Sequence, residues 1–474
     1  MAETIKADIC VIGAGSGGLS VAAGASQMGA RVVLIERHKM GGDCLNYGCV
    51  PSKALIAAGH TAHIMRESDR FGVKSVIPEI DYAQVRDHVR GVIAAIEPND
   101  SVERFTGLGV NVIEGEGRFT GPSEIEVDGR LIQARRFVIA TGSAAMVPPI
   151  PGLDTVPYLT NETVFELDTR PEHMIVIGGG PIGAELAQAH RRLGAAVTVV
   201  EMFDFLGKDD PELTEIVHRQ FTTDGVDVKA QTAVTAIERD GDNIVVVTEK
   251  DGQKDRIVGS HLLIAAGRLP NLNGLNLEAA GVAYDRKGIE VDARLRTTNK
   301  KIFAIGDVAG PYQFTHMAGY HAGIVIRNIL FKLPAKVDYR AVPWVTYTDP
   351  ELSHVGMTEA QAKQSQPSDF NILRWPFHEN DRAQAERETE GLIKVVTSTR
   401  GKVLGATIVG PRAGELLMPW VMAVSGKQKI GTMAGLIAPY PTLGEVSKRA
   451  AGSYYTPSLF SERTKKIVRF LLKF

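Results

Sequence analysis

The chain has 474 residues, room for about three domains at ~150 residues each. With 44% apolar and 23% charged residues it reads as an ordinary folded protein, not a disordered or fibrous one. Lys and Arg number 53 against 55 Asp and Glu, a net charge of -2 that leaves no chain-wide basic field for nucleic acid. Three cysteines are too few for a secreted disulfide scaffold. No run nears the length of a membrane span, and the first residues lack a signal-peptide layout, so a cytoplasmic protein is expected. Glycine is frequent (49) without any repeat to explain it, so the excess belongs to particular turns.

The first such turn is Gly13-Ala14-Gly15-Ser16-Gly17-Gly18, after an apolar run from residue 8 and before a helical pattern with Leu19, Ala22, Ala23 and Ala25. A second strand follows at 31–35 and ends at Glu36. In a βαβ dinucleotide site each part has a mechanical task. Gly13 allows the tight turn, Gly15 lets backbone approach a pyrophosphate, Gly18 lets helix pack on strand, and Glu36 accepts from ribose hydroxyls. The phrase returns at Gly178-Gly-Gly180-Pro-Ile-Gly183, followed by a helix through Ala187 and Ala189 and a strand ending at Glu201. Glu36 follows Gly13 by 23 positions, as Glu201 follows Gly178. Two dinucleotide sites in one chain imply a bound flavin and a visiting nicotinamide. Glu201 favours NADH, since a carboxylate there repels a 2′-phosphate, while nearby Lys208 and Arg191 leave NADPH possible.

After the first unit come Gly41-Gly42-Asp43-Cys44-Leu45-Asn46-Tyr47-Gly48-Cys49-Val50-Pro51-Ser52-Lys53. Pro51 predicts a helix starting near Cys49, where a thiol has a lowered pKa. In a regular helix, residues five apart have Cα atoms roughly 8–9 Å apart, whereas a disulfide needs about 4.4–6.8 Å. Bridging Cys44 to Cys49 therefore demands a break, which Gly42 and Gly48 permit. A metal site lacks a second thiol pair, since only Cys10 remains, inside the first strand. Two unconnected structural cysteines are the plainer alternative.

The cysteine segment resembles the redox signature of the pyridine nucleotide–disulfide oxidoreductases, the flavoproteins that include dihydrolipoamide dehydrogenase and mercuric reductase. Phe137-Val-Ile-Ala-Thr141-Gly142-Ser, Leu263-Ile-Ala-Ala-Gly267-Arg268-Leu-Pro270-Asn271 and Lys301-Ile-Phe-Ala-Ile-Gly306-Asp307-Val are similar to further motifs of that family. The resemblance covers essentially the whole chain. It implies an α/β fold with two Rossmann-like domains and a C-terminal α+β dimerisation domain: FAD-binding at 1–147 and 273–342, NAD(P)H-binding at 148–272, interface at 343–474. It also implies that Cys49 faces the flavin, Cys44 exchanges with substrate, Lys53 pairs with Glu185 beside the flavin, and Asp307 bonds the ribityl chain. The segments 391–396 and 402–410 read as strands around a Thr-Arg-Gly turn.

One position departs. Disulfide-reducing members carry His-Pro-Thr-x-x-Glu, whose histidine, lent by the partner subunit, moves thiol protons. Here the segment is Tyr440-Pro441-Thr442-Leu443-Gly444-Glu445. Tyr has a reference pKa near 10 against ~6.5 for His, so it is poorly matched to that task. Mercuric reductases also carry Tyr there, but end in a vicinal cysteine pair, and 453–474 contain no cysteine. The expected acceptors are, in order, a disulfide or dithiol of lipoamide type, a thiophilic metal ion, and a quinone; a flavin-bearing redox sensor is the reading of another class. Finally, residues 460–474 form a basic amphipathic pattern. Ile467, Phe470, Leu471 and Phe474 share one face and Lys465, Lys466, Arg469 and Lys473 the other. The apolar face is expected to dock on the homodimer or to lie on an anionic membrane.

Overall fold

A buried strand, β1 (Thr4–Ile12), runs through the middle of the largest sheet of the computed structural model, which describes residues 3–365 and 368–474. Its apolar run from Ile9 to Ile12 is covered on both faces. Ile9 and Val11 pack with Leu19, Ala22 and Ala25, whereas Cys10 and Ile12 join Phe119, Phe137 and Ile139. Burial of both faces explains why β1 reads as continuous rather than alternating hydrophobicity. Cys10 is fully buried, and burial pushes its thiol pKa up, as expected of a packing residue.

The chain divides into two compact units, each discontinuous in sequence: 1–178, 189–200 and 233–338 in the first, 179–188, 201–232 and 339–474 in the second. In the first, β1 is followed by α1 (Ser16–Gln27), β2 (Val32–Glu36), α2 (Gly42–Asn46), α3 (Cys49–Glu67), β3 (Asn111–Glu114), β4 (Arg118–Gly121), β5 (Glu124–Val127) and β6 (Arg130–Ile139). The sheet order is β3-β2-β1-β6-β5-β4, with Ile302–Ala304 added parallel to β6. β1 pairs parallel with β2 and β6, the topology of a dinucleotide fold. A second parallel set joins His173–Ile177 to Ala196–Val200 and to His261–Ile264. Ala233–Asp240, Asn243–Lys250 and Gln253–Gly259 form an antiparallel meander.

Where the chain leaves the first sheet it is tied to its own return. Thr141 Oγ1 donates to Asn271 O (2.8 Å), Asn271 Nδ2 donates to Thr141 O (2.9 Å), and Arg268–Pro270 pairs antiparallel with Ser143–Ala145. Two segments 130 residues apart in sequence thus satisfy each other's backbone groups.

The second unit is built on a five-stranded antiparallel sheet in the order Pro343–Thr346, Glu351–Gly356, Val403–Gly410, Leu392–Ser398, Phe370–Pro376. The hairpin read from 391–410 is present as Leu392–Ser398 and Val403–Gly410. Its core centres on fully buried Trp420, whose Nε1 donates to Ser447 Oγ (3.0 Å).

Candidate active site

The two glycine turns repeat each other atom for atom. Gly13 N donates to Ile35 O and Ala140 N to Ile12 O; in the second turn Gly178 N donates to Val200 O and Ala265 N to Ile177 O. Gly13 (φ +101°) and Gly178 (φ +113°) sit in the left-handed region, and a Cβ on either would lie about 2.5 Å or less from the carbonyl oxygen of Ala140 or Ala265. The acids follow the same rule. Glu36 accepts from Ala14 N (2.6 Å) and His38 N (2.8 Å), and Glu201 accepts from Gly179 N (2.6 Å) and Phe203 N (2.8 Å). Each carboxylate is thereby aimed, with lone pairs left for ribose hydroxyls.

The middle glycines face open space. A Cβ at Gly15 would meet only Gly42 Cα at 3.9 Å, and one at Gly180 would meet nothing within 4 Å. The third glycine of the first turn is the opposite case, since a Cβ at Gly18 would fall 1.9 Å from Gly13 O. Close packing at Gly18 and clearance at Gly15, before the N-terminus of α1, fit a pyrophosphate. Gly13, Gly15, Gly18, Glu36 and half-buried Asp307 are the residues that would hold FAD. Gly180, Gly183 and Glu201, all in the second unit, are the residues that would hold a second dinucleotide. Gly142 (φ +67°) and Gly267 (φ +125°) turn the chain beside the Thr141–Asn271 ties. Arg191 donates to Ala195 O, and Lys208 is exposed.

The cysteine loop packs directly on the first turn. A Cβ on Gly42 would meet Gly15 Cα at 2.7 Å, and Gly41 N donates to Ala14 O. As the sequence requires, the helix breaks between the cysteines: α2 ends at Asn46 and α3 starts at Cys49, two residues before Pro51. The Gly48 backbone (φ −125°, ψ −110°) makes the break.

Cys44 and Cys49 are thiols here, hydrogen-bonded to each other. The Cys44 hydrogen bond lowers the Cys49 pKa to about 6, with the Thr315 hydroxyl and the Lys53 charge acting in the same direction against burial. Cys44 is pushed up by the same bond and by burial. One proton shared by two sulfurs leaves Cys49 as the anion near neutral pH. Thr315, the first residue of helix Thr315–Ile329, places Oγ1 3.4 Å from Cys49 Sγ.

A polar clasp holds this loop. Asp43 Oδ2 is 3.1 Å from an Arg268 guanidinium nitrogen, and Asp43 Oδ1 accepts from Asn161 Nδ2, which also donates to Tyr47 O. Arg268 further donates to Ser143 Oγ and O, and Ser143 Oγ donates to Asp307 Oδ2 (2.6 Å). Burial pushes the Asp307 carboxyl up, while Ser143 and Arg268 pull it down. Thr315, Asp43, Asn161 and Ser143 were not legible as functional residues in sequence. The only available signal was the charge of Asp43 beside Cys44, opposite the charge of Arg268 in the return segment.

Glu185, Tyr440 and Glu445 belong to the second unit, Lys53 and the cysteines to the first. Lys53 Nζ donates to Ser52 Oγ, and buried Glu185 accepts from Tyr347 N (2.9 Å). Tyr440 is 71% exposed and donates to Asp381 Oδ2 (3.0 Å); that bond raises the phenol pKa, with a smaller push from the Glu445 charge. Among the described residues no helix is long and apolar enough to cross a membrane, and no cluster of three or more His, Cys, Asp or Glu forms a metal site.

Twin dinucleotide turns with a low-pKa dithiol packed on one of them define a nucleotide-dependent dithiol oxidoreductase. The known proteins agree. Residues 7–322 match the family described as "Pyridine nucleotide-disulphide oxidoreductase", and 342–451 match its "dimerisation domain". A mercuric reductase of Bacillus cereus is 37% identical over 94% of this chain and 70% of its own length. A dihydrolipoyl dehydrogenase of Thermus scotoductus is 35% identical over 95% of this chain and 98% of its own length. The Cu(II) complex of the HOCl-induced flavoprotein disulfide reductase RclA from Escherichia coli superposes with a TM-score of 0.85 at 27% identity, over 94% of this chain and 99% of that one. The chain belongs to the pyridine nucleotide–disulfide oxidoreductases, FAD-dependent enzymes that use NAD(P)H.

Proposed function

We propose that the protein uses NADH to keep Cys44 and Cys49 reduced, and that the pair reduces a thiophilic metal ion held by its sulfurs. Bound flavin supplies the two-electron relay between nicotinamide and the sulfur pair. The observation that carries this reading is the Tyr440–Asp381 hydrogen bond. A phenol whose pKa is raised above its ordinary value of 10 stays protonated at neutral pH and is a poor base for a dithiol substrate. On this reading the metal ion ranks ahead of lipoamide, the reverse of the order taken from sequence.

A soft cation needs no such base, because Cys49 already offers a thiolate near neutral pH. In the outward step the thiol–thiolate pair loses two electrons and its one proton and closes the Cys44–Cys49 bond. One Hg(II) or two Cu(II) ions accept the electrons. In the return step NADH gives two electrons and one proton, becoming NAD⁺, and reopens the disulfide to one thiol and one thiolate. Lys53, whose charge already favours the Cys49 thiolate, would steady negative charge beside the flavin. Pairing of Lys53 with Glu185 belongs to this proposal, as do the division into FAD, NAD(P)H and interface segments and assembly as a homodimer. Exposed Met418, Met422 and Ile437, within the segment that matches the dimerisation domain, supply apolar surface for a partner subunit.

Reduction of a protein-borne or small disulfide is the second reading, favoured by 35% identity to a dihydrolipoyl dehydrogenase. The test is NADH oxidation by the flavin-loaded protein with mercuric ion, cupric ion, lipoamide, glutathione disulfide and a quinone. Multiple turnovers with the metal ions, lost in Cys44→Ser, are expected. Turnover with lipoamide alone would favour the second reading. One reduction that then stalls with every acceptor would favour a sensor.

A further inference from the structure

The last stretch of the chain has a chemistry of its own. Ser461 caps a terminal helix, Glu462–Leu471, accepting from Thr464 N, while Thr464 Oγ1 donates to Ser458 O (2.8 Å). These bonds fix the start of the helix. From residue 456 to 474 no residue is buried. Ile467, Phe470, Leu471 and Phe474 fall on one side, and Phe470 and Phe474 make an edge-to-face pair at 5.5 Å. Phe470 is 59%, Leu471 61% and Phe474 96% exposed. A helix with this large an uncovered aromatic and aliphatic stripe is short of a partner.

Charge selects the partner. Residues 462–474 hold five basic side chains and one acidic one, leaving 48 basic and 54 acidic in the remainder, so a basic helix projects from an otherwise acidic chain. Lys465 and Arg469 lie opposite the apolar stripe, and Lys466 and Lys473 along its flank. Their long stems can reach along the helix flanks to lipid phosphates while the stripe enters the acyl boundary. A second copy of the helix could cover the apolar stripe, but it would offer like charge to the basic flank.

We propose that residues 460–474 dock the enzyme on anionic phospholipid bilayers, lying in the interface plane with Phe470, Leu471 and Phe474 inserted. The flavin-loaded full-length protein, sedimented with vesicles of phosphatidylcholine containing about one-third phosphatidylserine, should bind at least about tenfold more strongly than with phosphatidylcholine alone, and ~0.5 M salt should release it. Joint Phe470→Asp and Leu471→Asp changes should bring binding to background, and joint Lys465→Glu and Lys466→Glu changes should remove the preference for anionic vesicles. NADH-dependent ferricyanide reduction should be unchanged in both. Equal binding to neutral vesicles, or full binding by the Asp variant, would overturn the proposal. So would a wild type that ignores vesicles while the Asp variant loses its dimer mass in light scattering, which would assign the stripe to the partner subunit.

Discussion

Thr315 Oγ1 stands 3.4 Å from Cys49 Sγ, so a helix that starts 266 positions beyond Cys49 supplies a hydroxyl to its sulfur. A hydrogen bond to an anion stabilises it and lowers the pKa of its acid.

Thr315→Val keeps the shape and removes that donor. The Cys49 thiolate exists above pH about 6 and is lost as pH falls through that value, so alkylation of Cys49 by iodoacetamide should decline on the acid side of 6. In Thr315→Val the midpoint should rise by about one unit, and in Thr315→Ser it should stay. Mass spectrometry of the Cys49 peptide across pH reads it. An unmoved midpoint would leave the shift to Cys44 and Lys53.

The glycines of the two turns predict opposite defects. In Gly18→Ala a methyl would meet Gly13 O at 1.9 Å, so the turn must open, at about 1–3 kcal/mol or more of stability. A lower Tm and loss of bound flavin should follow. Gly180→Ala meets no protein atom within 4 Å, so Tm should hold. Its methyl would instead stand in the pyrophosphate path, and KM for NADH should rise about tenfold. Similar Tm losses in both would mean that the Gly180 position is as closely packed as that of Gly18.

How much of this was written in the sequence depends on range. The turns, the acids and the break between Cys44 and Cys49 follow from local rules: a glycine where φ is positive, a fixed step to Glu36 or Glu201, a proline near a helix start. Strands 392–398 and 403–410 were equally local, as a hairpin. The Asp43–Arg268 ion pair and the Thr315 hydroxyl were not, because each joins residues more than 200 positions apart, and no periodicity records which distant side chain the folded backbone delivers. The tail was half legible: its two faces followed from helical spacing, but that its own chain leaves the apolar face uncovered needed coordinates.

In the second unit, Lys394 is 5% exposed and touches Asp210 (2.7 Å), Glu212 (2.8 Å) and Glu359 (2.6 Å). Arg374 and Lys394 hold the Glu212 carboxyl down at about 2. A depressed carboxyl contributes stability that is present above its ordinary value near 4.5 and lost as pH falls through about 2. Lys394→Met leaves buried Asp210 without its cation, which should cost about 3 kcal/mol and move acid unfolding to higher pH. All three tryptophans, Trp344, Trp375 and Trp420, lie in this unit, so intrinsic fluorescence against pH follows it. Coincident acid transitions in both proteins would show a cluster of no energetic weight.

Tyr440→His tests what limits the acceptor. Asp381 accepts from the phenol, and Asp381 and Glu445 both add negative charge that keeps its proton on. An imidazole in the same place would feel the same carboxylates, which favour its protonated form and raise its pKa from ~6.5 toward neutrality. That suits a group that must take a thiol proton and return it. General acid–base assistance is typically worth ~10²–10⁴-fold, and a transplanted base without its native surroundings should recover the lower part of that range. Dihydrolipoamide oxidation by NAD⁺ should therefore rise by about 10–100-fold, with a new limb in its pH profile near 7. Cupric and mercuric turnover should not rise. If dihydrolipoamide turnover stays flat across pH in the variant, the missing proton carrier is not the barrier, and the shape of the acceptor site sets the substrate instead.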